Sequence, residues 1–334
     1  MAESFIFPSQ GYACLQCGKS CLSGWRVWLE PESYERLNAH PLTAQLRRGG
    51  YEPLAVYPTG PAALVPPGGG PCCYLSPETL CELHRAGGPE TKPRTCQHFP
   101  FSLLETPDGC QVGVTFRCTA VQQDHGQSWD MHVATLERLR ATGTYPRVGF
   151  EPIEAGIVLD WAGYRRWEAR ALQMDLWDVL AELLEVPGTL ALRACLEAPL
   201  ARQLVAWVEG DGSIVEQIEE SGAFWLARLG AVVRWDTAES HEPYAQHLRR
   251  FIHHLIERKF LLLGPHFRGR LTVLALLESV SNRYARWEGL ANPSPVAAFW
   301  QGIERLEAQL IEGEDPFFQA VERVVVDLGQ RVPP

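Results

Sequence analysis

Long apolar runs are missing from this chain: no stretch reaches the roughly 18 uninterrupted apolar residues of a membrane-spanning helix, so none is expected. The opening MAESFIFPSQGYA carries neither the basic stretch nor the apolar core of a secretion signal, which points to a reducing cytoplasm. A basic surplus is missing as well. With 40 acidic residues against 30 Lys and Arg, the formal charge of −10 argues against a general nucleic-acid binder, whose footprint is a basic face or tail. Most of the acidity lies after residue 145, where 27 acidic residues face 19 basic ones. No glycine-rich turn follows a strand, as it does in a Rossmann-type methyltransferase or a phosphate-binding loop. Internal repeats and low-complexity tails are also absent.

Cysteine is scarce in one region and dense in another. Nine of the ten (Cys14, Cys17, Cys21, Cys72, Cys73, Cys81, Cys96, Cys110 and Cys118) lie in roughly the first third, and only Cys195 lies beyond. A reducing compartment disfavours structural disulfides, so these thiols need another explanation. Cys14, Cys17 and Cys21 sit in CLQCGKSC, two and three residues apart on a turn with a glycine. Such a turn lets thiolates converge on one metal, either zinc or an iron–sulfur cluster. Reversible thiol redox is the alternative.

The later ligands come from Cys72, Cys81 in a short helix, Cys96 in KPRTCQHFPF, and Cys118 after a hairpin. Adjacent Cys72 and Cys73 point apart in extended backbone, so one is expected to face inward. Cys73, Cys110, His84 and His98 are secondary candidates, each balanced by an inert or solvated role, and Arg94 stands near enough to offset thiolate charge. Cys195, in ALRACLEAPL, reads as an inert thiol in a helix core. Seven thiols exceed what one four-thiolate centre needs. The order CxxCxxxC is the reverse of the CxxxCxxC run of radical S-adenosylmethionine enzymes and argues against that class.

A chain of 334 residues has room for two domains. The pattern predicts an α+β protein: a cysteine-rich metal-binding head over residues 1–125, with short strands and helices, and a mostly helical body over 126–334. Within the head, WRVWL alternates as a strand, and PESYERLNAH starts a helix with Pro31 in its first turn. PTGPAALVPPGGGP, residues 58–71, reads as a surface loop, because proline removes amide donors. SPETLCELHRAGG reads as a helix opened by Ser76-Pro77-Glu78. FSLLE and CQVGVTF read as a β-hairpin around Asp108-Gly109.

In the body, helical spacing runs through MHVATLERLRATG, YRRWEARALQMDLWDVLAELLE and ALRACLEAPLARQLVAWVE. A helical hairpin follows, with Leu248, Phe251, Ile252, Leu255, Ile256 and Phe260 on its first stripe and a break at Gly264-Pro265. His247, Arg250, His254 and Arg258 recur opposite that stripe and read as a solvated face; a groove for an acidic group is the alternative. Trp161, Trp167 and Trp177 read as helix packing.

Taken in order, CLQCGKSC, GPCCYLSPETLCELH, KPRTCQHFPF and VGVTFRC resemble the CxxCxxCC, or YkgJ-like, family, described as a zinc- or iron-chelating domain. The resemblance covers roughly residues 10–122. Cys14, Cys17, Cys21, Cys72, Cys81, Cys96 and Cys118 match the family's positions, Cys73 and Cys110 are extra, and Ser20 stands where the family has another cysteine. More loosely, SCLSGWRVWLEPESYERL and the helical hairpin are similar to the branch containing flagellin lysine N-methylase. That resemblance implies iron–sulfur-dependent methyl transfer from S-adenosylmethionine to a protein lysine, with no pocket assigned to named residues. Two rivals stand beside it: a non-catalytic, zinc-stapled module that binds a protein partner, and a metal-delivery protein. No nucleic-acid or membrane partner is expected, and the oligomeric state is left open.

Overall fold

The computed structural model describes residues 5–24, 27–57, 62–126, 128–154, 158–186, scattered positions between 189 and 206, 242–277, 295–312 and 315–329. They form a mixture of helices and small sheets, and no described helix is long and apolar enough to cross a membrane. Two compact units emerge, and both are discontinuous, where the sequence suggested a single boundary after residue 125. One unit, the head, comprises residues 10–103 and 114–144; the other, the body, comprises 1–9, 104–113 and 145–334.

The described chain opens on β1 (Phe5–Ile6), part of the body, and then enters the head through the four-residue helix α1 (Lys19–Leu22). Next come β2 (Val27–Leu29) and two helices that each begin with proline, α2 (Pro31–Asn38) and α3 (Pro41–Arg48). Proline suits that first position, where its missing amide has no helical partner. β3 (Leu54–Ala55) and β4 (Ala62–Leu64) complete an antiparallel sheet ordered β2-β4-β3, with Val27 opposite Leu64 and Leu29 opposite Ala62. Strand alternation is clear in β2: Val27 and Leu29 are buried while Trp28 is 48% exposed.

The 58–71 segment corrects the loop expectation. Ala62–Leu64 is the central strand of this sheet, because the prolines at 58, 61, 66, 67 and 71 all fall outside those three residues and leave their amides free to pair. Val27, Leu29, Leu37, Leu54, Leu64, Tyr74 and Leu83 form the head's core, with Cys72, Cys73, Cys81 and Cys96 packed against it.

α4 (Glu82–Gly87) starts later than SPETLCELHRAGG suggested. Ser76 is not a helix opener but a turn residue, its hydroxyl oxygen accepting from the amides of Glu78 at 3.2 Å and Leu80 at 3.3 Å. α5 (Arg94–His98) leads to the hairpin of β5 (Phe101–Thr106) and β6 (Gly109–Val114). Its outer residues, 104–113, belong to the body in a sheet ordered β1-β6-β5, with Phe5 opposite Cys110 in parallel register. α6 (Thr119–Gln122) and α7 (Val133–Thr142) finish the head.

In the body, β7 (Ile153–Glu154) pairs with β8 (Val158–Leu159), followed by α8 (Trp161–Ala171) and α9 (Leu176–Leu183). The long helical run predicted here is broken because Asp175 caps α9, accepting from the Trp177 amide at 2.8 Å. Leu192, Leu196, Leu200 and Leu204 are buried at helical spacing, while Cys195 lies outside the described residues. α10 (Glu242–Glu257) ends before Lys259, which adopts a left-handed turn at φ 61°, and residues 267–277 are helical again. α11 (Pro295–Glu312) and α12 (Asp315–Gly329) complete the set described.

The α10 stripe is buried as expected at Leu248, Phe251, Leu255, Ile256 and Phe260. The opposite row is not solvated. His254 is 2% exposed, Arg258 pairs with buried Glu307 at 3.0 Å, and His247 lies 5.1 Å from the Trp300 ring. α11 supplies these partners some fifty residues later, so the row is a helix–helix interface. Trp161, Tyr164, Trp167 and Phe267 form a stack of rings, in keeping with packing. Tyr164 and Lys259 both meet Glu168, whose carboxylate accepts from Lys259 Nζ at 2.7 and 2.8 Å and from the tyrosine hydroxyl at 3.2 Å.

Candidate metal centre

Four backbone segments of the head bring their cysteines to one cavity. The first is the turn around Gly18, which has φ 64°; a Cβ there would lie 2.9 Å from Thr79 Cβ, so only glycine fits. Thr79 also donates its hydroxyl to the Gln16 carbonyl at 3.1 Å, tying the Cys14–Cys21 turn to the loop before Cys81. The second segment is a turn from Cys72 to Leu75, joined to the first by a 2.7 Å hydrogen bond from the Cys72 amide to the Cys21 carbonyl. A bridge between Leu75 and Cys81 closes the Ser76 turn and sets Cys81 just before α4.

The third segment is α5, carrying Cys96. Arg36 holds the stretch before it by donating to the Lys92 carbonyl at 2.9 Å, and the Arg94 amide donates to Ser33 Oγ at 3.2 Å. The fourth is Cys118, the residue that caps α6, whose amide donates to the Thr115 carbonyl at 3.2 Å.

The cavity so formed measures about 210 Å³ and is lined by Cys14, Cys17, Cys21, Cys72, Cys81, Cys96 and Cys118. Those are the seven primary ligands expected from sequence. The secondary candidates do not line it. Cys73 packs against the head's core, Cys110 is buried in β6 of the body, His84 is exposed on α4, and His98 is half-buried on α5.

Cys72 and Cys73 do not point apart as extended backbone requires; they occupy a turn, and the Cys73 thiol donates to the Cys72 sulfur. That bond, with one from the Tyr74 amide, holds Cys72 below the ordinary thiol range. Burial pushes Cys21 up to about 11 and Cys96 up to about 12, with neighbouring thiols adding to the shift. Cys118 is raised by burial, then by Cys14 and Cys17. These thiols are costly to ionise together unless a cation shares the cavity, and a metal inverts that cost by binding the thiolate.

None of the nine described cysteines is in a disulfide. The sulfurs are spread over the cavity walls, and among the described residues no group of three or more Cys, His, Asp or Glu side chains is positioned to hold one metal ion. Two features of this site escaped the reading of motifs. Tyr12, 5% exposed, lines the cavity and donates its hydroxyl to Cys14; its phenol is raised, chiefly by burial. Lys19 and Lys92 line it too. The chain has three lysines against 27 arginines, and two of the three are here. That imbalance was a visible signal: a flexible ammonium beside thiolates offsets charge and donates to sulfur.

No protein-family model, curated protein or solved structure matches the chain. The likeness of the four cysteine blocks to the CxxCxxCC family therefore stands on those residues alone.

Proposed function

We propose that the head binds metal through its cysteines, as a thiolate-ligated iron–sulfur or zinc site. The observation that carries this reading is the meeting of seven sequence-distant thiols on one cavity, with the other two described cysteines kept off it. The donor set fits: soft thiolates select zinc or iron–sulfur clusters, and Lys19 and Lys92 bring compensating charge. The size also fits a cluster or more than one ion, since about 210 Å³ is many times the roughly 10–15 Å³ that a single water needs by this measure. When bound, zinc would supply a structural staple or a Lewis acid, and an iron–sulfur cluster would supply redox chemistry.

The chain's own contribution is to hold seven cysteines on four tied segments, four of them half-buried and Cys118 buried, and to balance their charge. Lysine methylation with S-adenosylmethionine rests on the looser similarity of SCLSGWRVWLEPESYERL and the helical hairpin to flagellin lysine N-methylase, and it is a narrower proposal within this one.

The test is the metal and sulfide content and visible absorption of full-length protein purified without oxygen. Brown protein with several irons per chain supports the iron–sulfur form, and colourless protein with stoichiometric zinc supports the zinc form and removes the methylation proposal. Protein with no bound metal, and none taken up on reconstitution, overturns the reading. If iron is present, labelled S-adenosylmethionine is incubated with candidate proteins; absence of label on lysine ends the methyltransfer proposal.

A further inference from the structure

We infer that Cys72 and Cys73 form a redox modification site, in which a hydroperoxide joins the two thiols as a vicinal disulfide and so withdraws Cys72 from the cavity. The consequence for metal uptake rests on the metal-binding reading above; the disulfide itself does not.

Cys73 is a thiol for which the cavity has no use. Cys72 lines the cavity, whereas Cys73 does not and packs against the head's core. The two occupy one turn, closed by the Leu75 amide donating to the Cys72 carbonyl at 3.0 Å. Both flanks of that turn are tied down: the Cys72 amide donates to the Cys21 carbonyl at 2.7 Å and the Glu82 amide to the Tyr74 carbonyl at 2.8 Å. Within it the Cys73 thiol donates to the Cys72 sulfur. That weak bond sets the two sulfurs side by side, where extended backbone would turn neighbouring side chains to opposite faces. Both thiols are free and half-buried, and Cys72 meets small solutes through a cavity whose Cys14 and Cys17 are exposed.

Hydrogen peroxide balances the chemistry as the one co-reactant. The Cys72 sulfur attacks a peroxide oxygen and the O–O bond breaks. A first water leaves with the Cys72 proton, and Cys72 is a sulfenic acid. The Cys73 sulfur then attacks the Cys72 sulfur, an S–S bond forms, the S–O bond breaks, and a second water leaves with the Cys73 proton. The two thiols together lose two electrons, and the peroxide gains them.

The bond so formed is a labile one. Consecutive Cα atoms lie about 3.8 Å apart across a trans peptide, short of the roughly 4.4–6.8 Å that ordinary disulfides span. The closed ring is therefore strained, and strained disulfides are readily reduced and serve regulation rather than structure. While it is closed, no thiolate remains at position 72 to hold a metal.

The experiment treats reduced, metal-stripped, full-length protein with hydrogen peroxide, alkylates the remaining thiols and reads each cysteine by mass spectrometry. In wild type, Cys72 and Cys73 are expected to escape alkylation together, their peptide two hydrogens lighter, and to regain it after treatment with a small thiol. In Cys73→Ser, Cys72 is expected to stop at the sulfenic acid and take up dimedone, which wild type does not retain at that position. At the lowest peroxide dose that closes the pair, uptake of zinc alone is expected to fall and to return with the thiol. Alkylation of both residues after peroxide, or a cross-link from Cys72 to any other cysteine, overturns the pair. A closed pair with undiminished zinc uptake overturns its control of metal loading. Protein that takes up no zinc even when reduced ends the metal-binding reading instead, while the alkylation pattern still decides the disulfide.

Discussion

Head and body solve the same problem of burial by different means. Among its described residues the body buries helices against one another and carries charge into its interior as the pairs Lys259 with Glu168 and Arg258 with Glu307, and as Arg270 over the Phe260 and Phe318 rings. The head has three-residue strands, short helices and tight turns around a small core, and seven cysteines line the cavity beside it. A small core of this kind contributes little against the entropy of ordering so many turns, which is where a metal centre makes its largest difference to folding. The contrast teaches that Cys72, Cys73, Cys81 and Cys96 pack against the head's hydrophobic core, so a metal held beside them would act on the stability of the same unit.

Several changes break or sharpen this comparison. The largest effect is expected from stripping metal with a chelator. Hydrogen exchange should accelerate through residues 14–103 and 114–118 of the head by an amount on the order of 10 kcal/mol, while α10 and residues 267–277 keep their protection. Equal loss in both units would erase the contrast. Next, Glu168→Leu takes the carboxylate partner from the buried Lys259 ammonium and should cost about 3–5 kcal/mol in denaturant unfolding, whereas Lys259→Met should cost less, because Arg165 and Tyr164 still meet Glu168; metal content should not change in either variant.

Within the head, Leu37→Ala opens a cavity at a fully buried position and should cost about 2–5 kcal/mol, read as a lower melting temperature of the apo protein. Gly18→Ala forces a side chain into a left-handed turn against Thr79 and should cost about 1–2 kcal/mol, with metal affinity falling because the Cys17 and Cys21 segments share that turn. Smallest of all, Cys73→Ser should leave metal content unchanged, since this thiol is off the cavity.

What could be read from the sequence divides along the same line. Cys14, Cys17 and Cys21 were legible as a group because spacing on a glycine turn is a local property, while Cys72, Cys81, Cys96 and Cys118 were joined to them only by the resemblance of the four blocks; the hairpin, α2 with its leading proline, and the apolar stripe of α10 were legible too. What depended on distant partners was not. Ala62–Leu64 looked like loop among prolines, and it is a central strand because Val27–Leu29 and Leu54–Ala55 flank it. His254 and Arg258 looked solvated, since nothing near them in the chain announces Glu307 forty-nine residues after Arg258. Ser76 resembled a helix opener because serine serves caps and turns alike. Cys110 was grouped with the other thiols by proximity in sequence, yet its strand pairs with β1 in the body. The lysine scarcity was present throughout and needed only to be counted.

The most direct measurement is cysteine alkylation of folded, anaerobically purified protein, read residue by residue by mass spectrometry before and after metal removal. The account predicts that Cys14, Cys17, Cys21, Cys72, Cys81, Cys96 and Cys118 are protected with metal and react after its removal, while the reactivity of Cys110, buried in the body, is unchanged. Labelling of the seven that is the same in both states would contradict it.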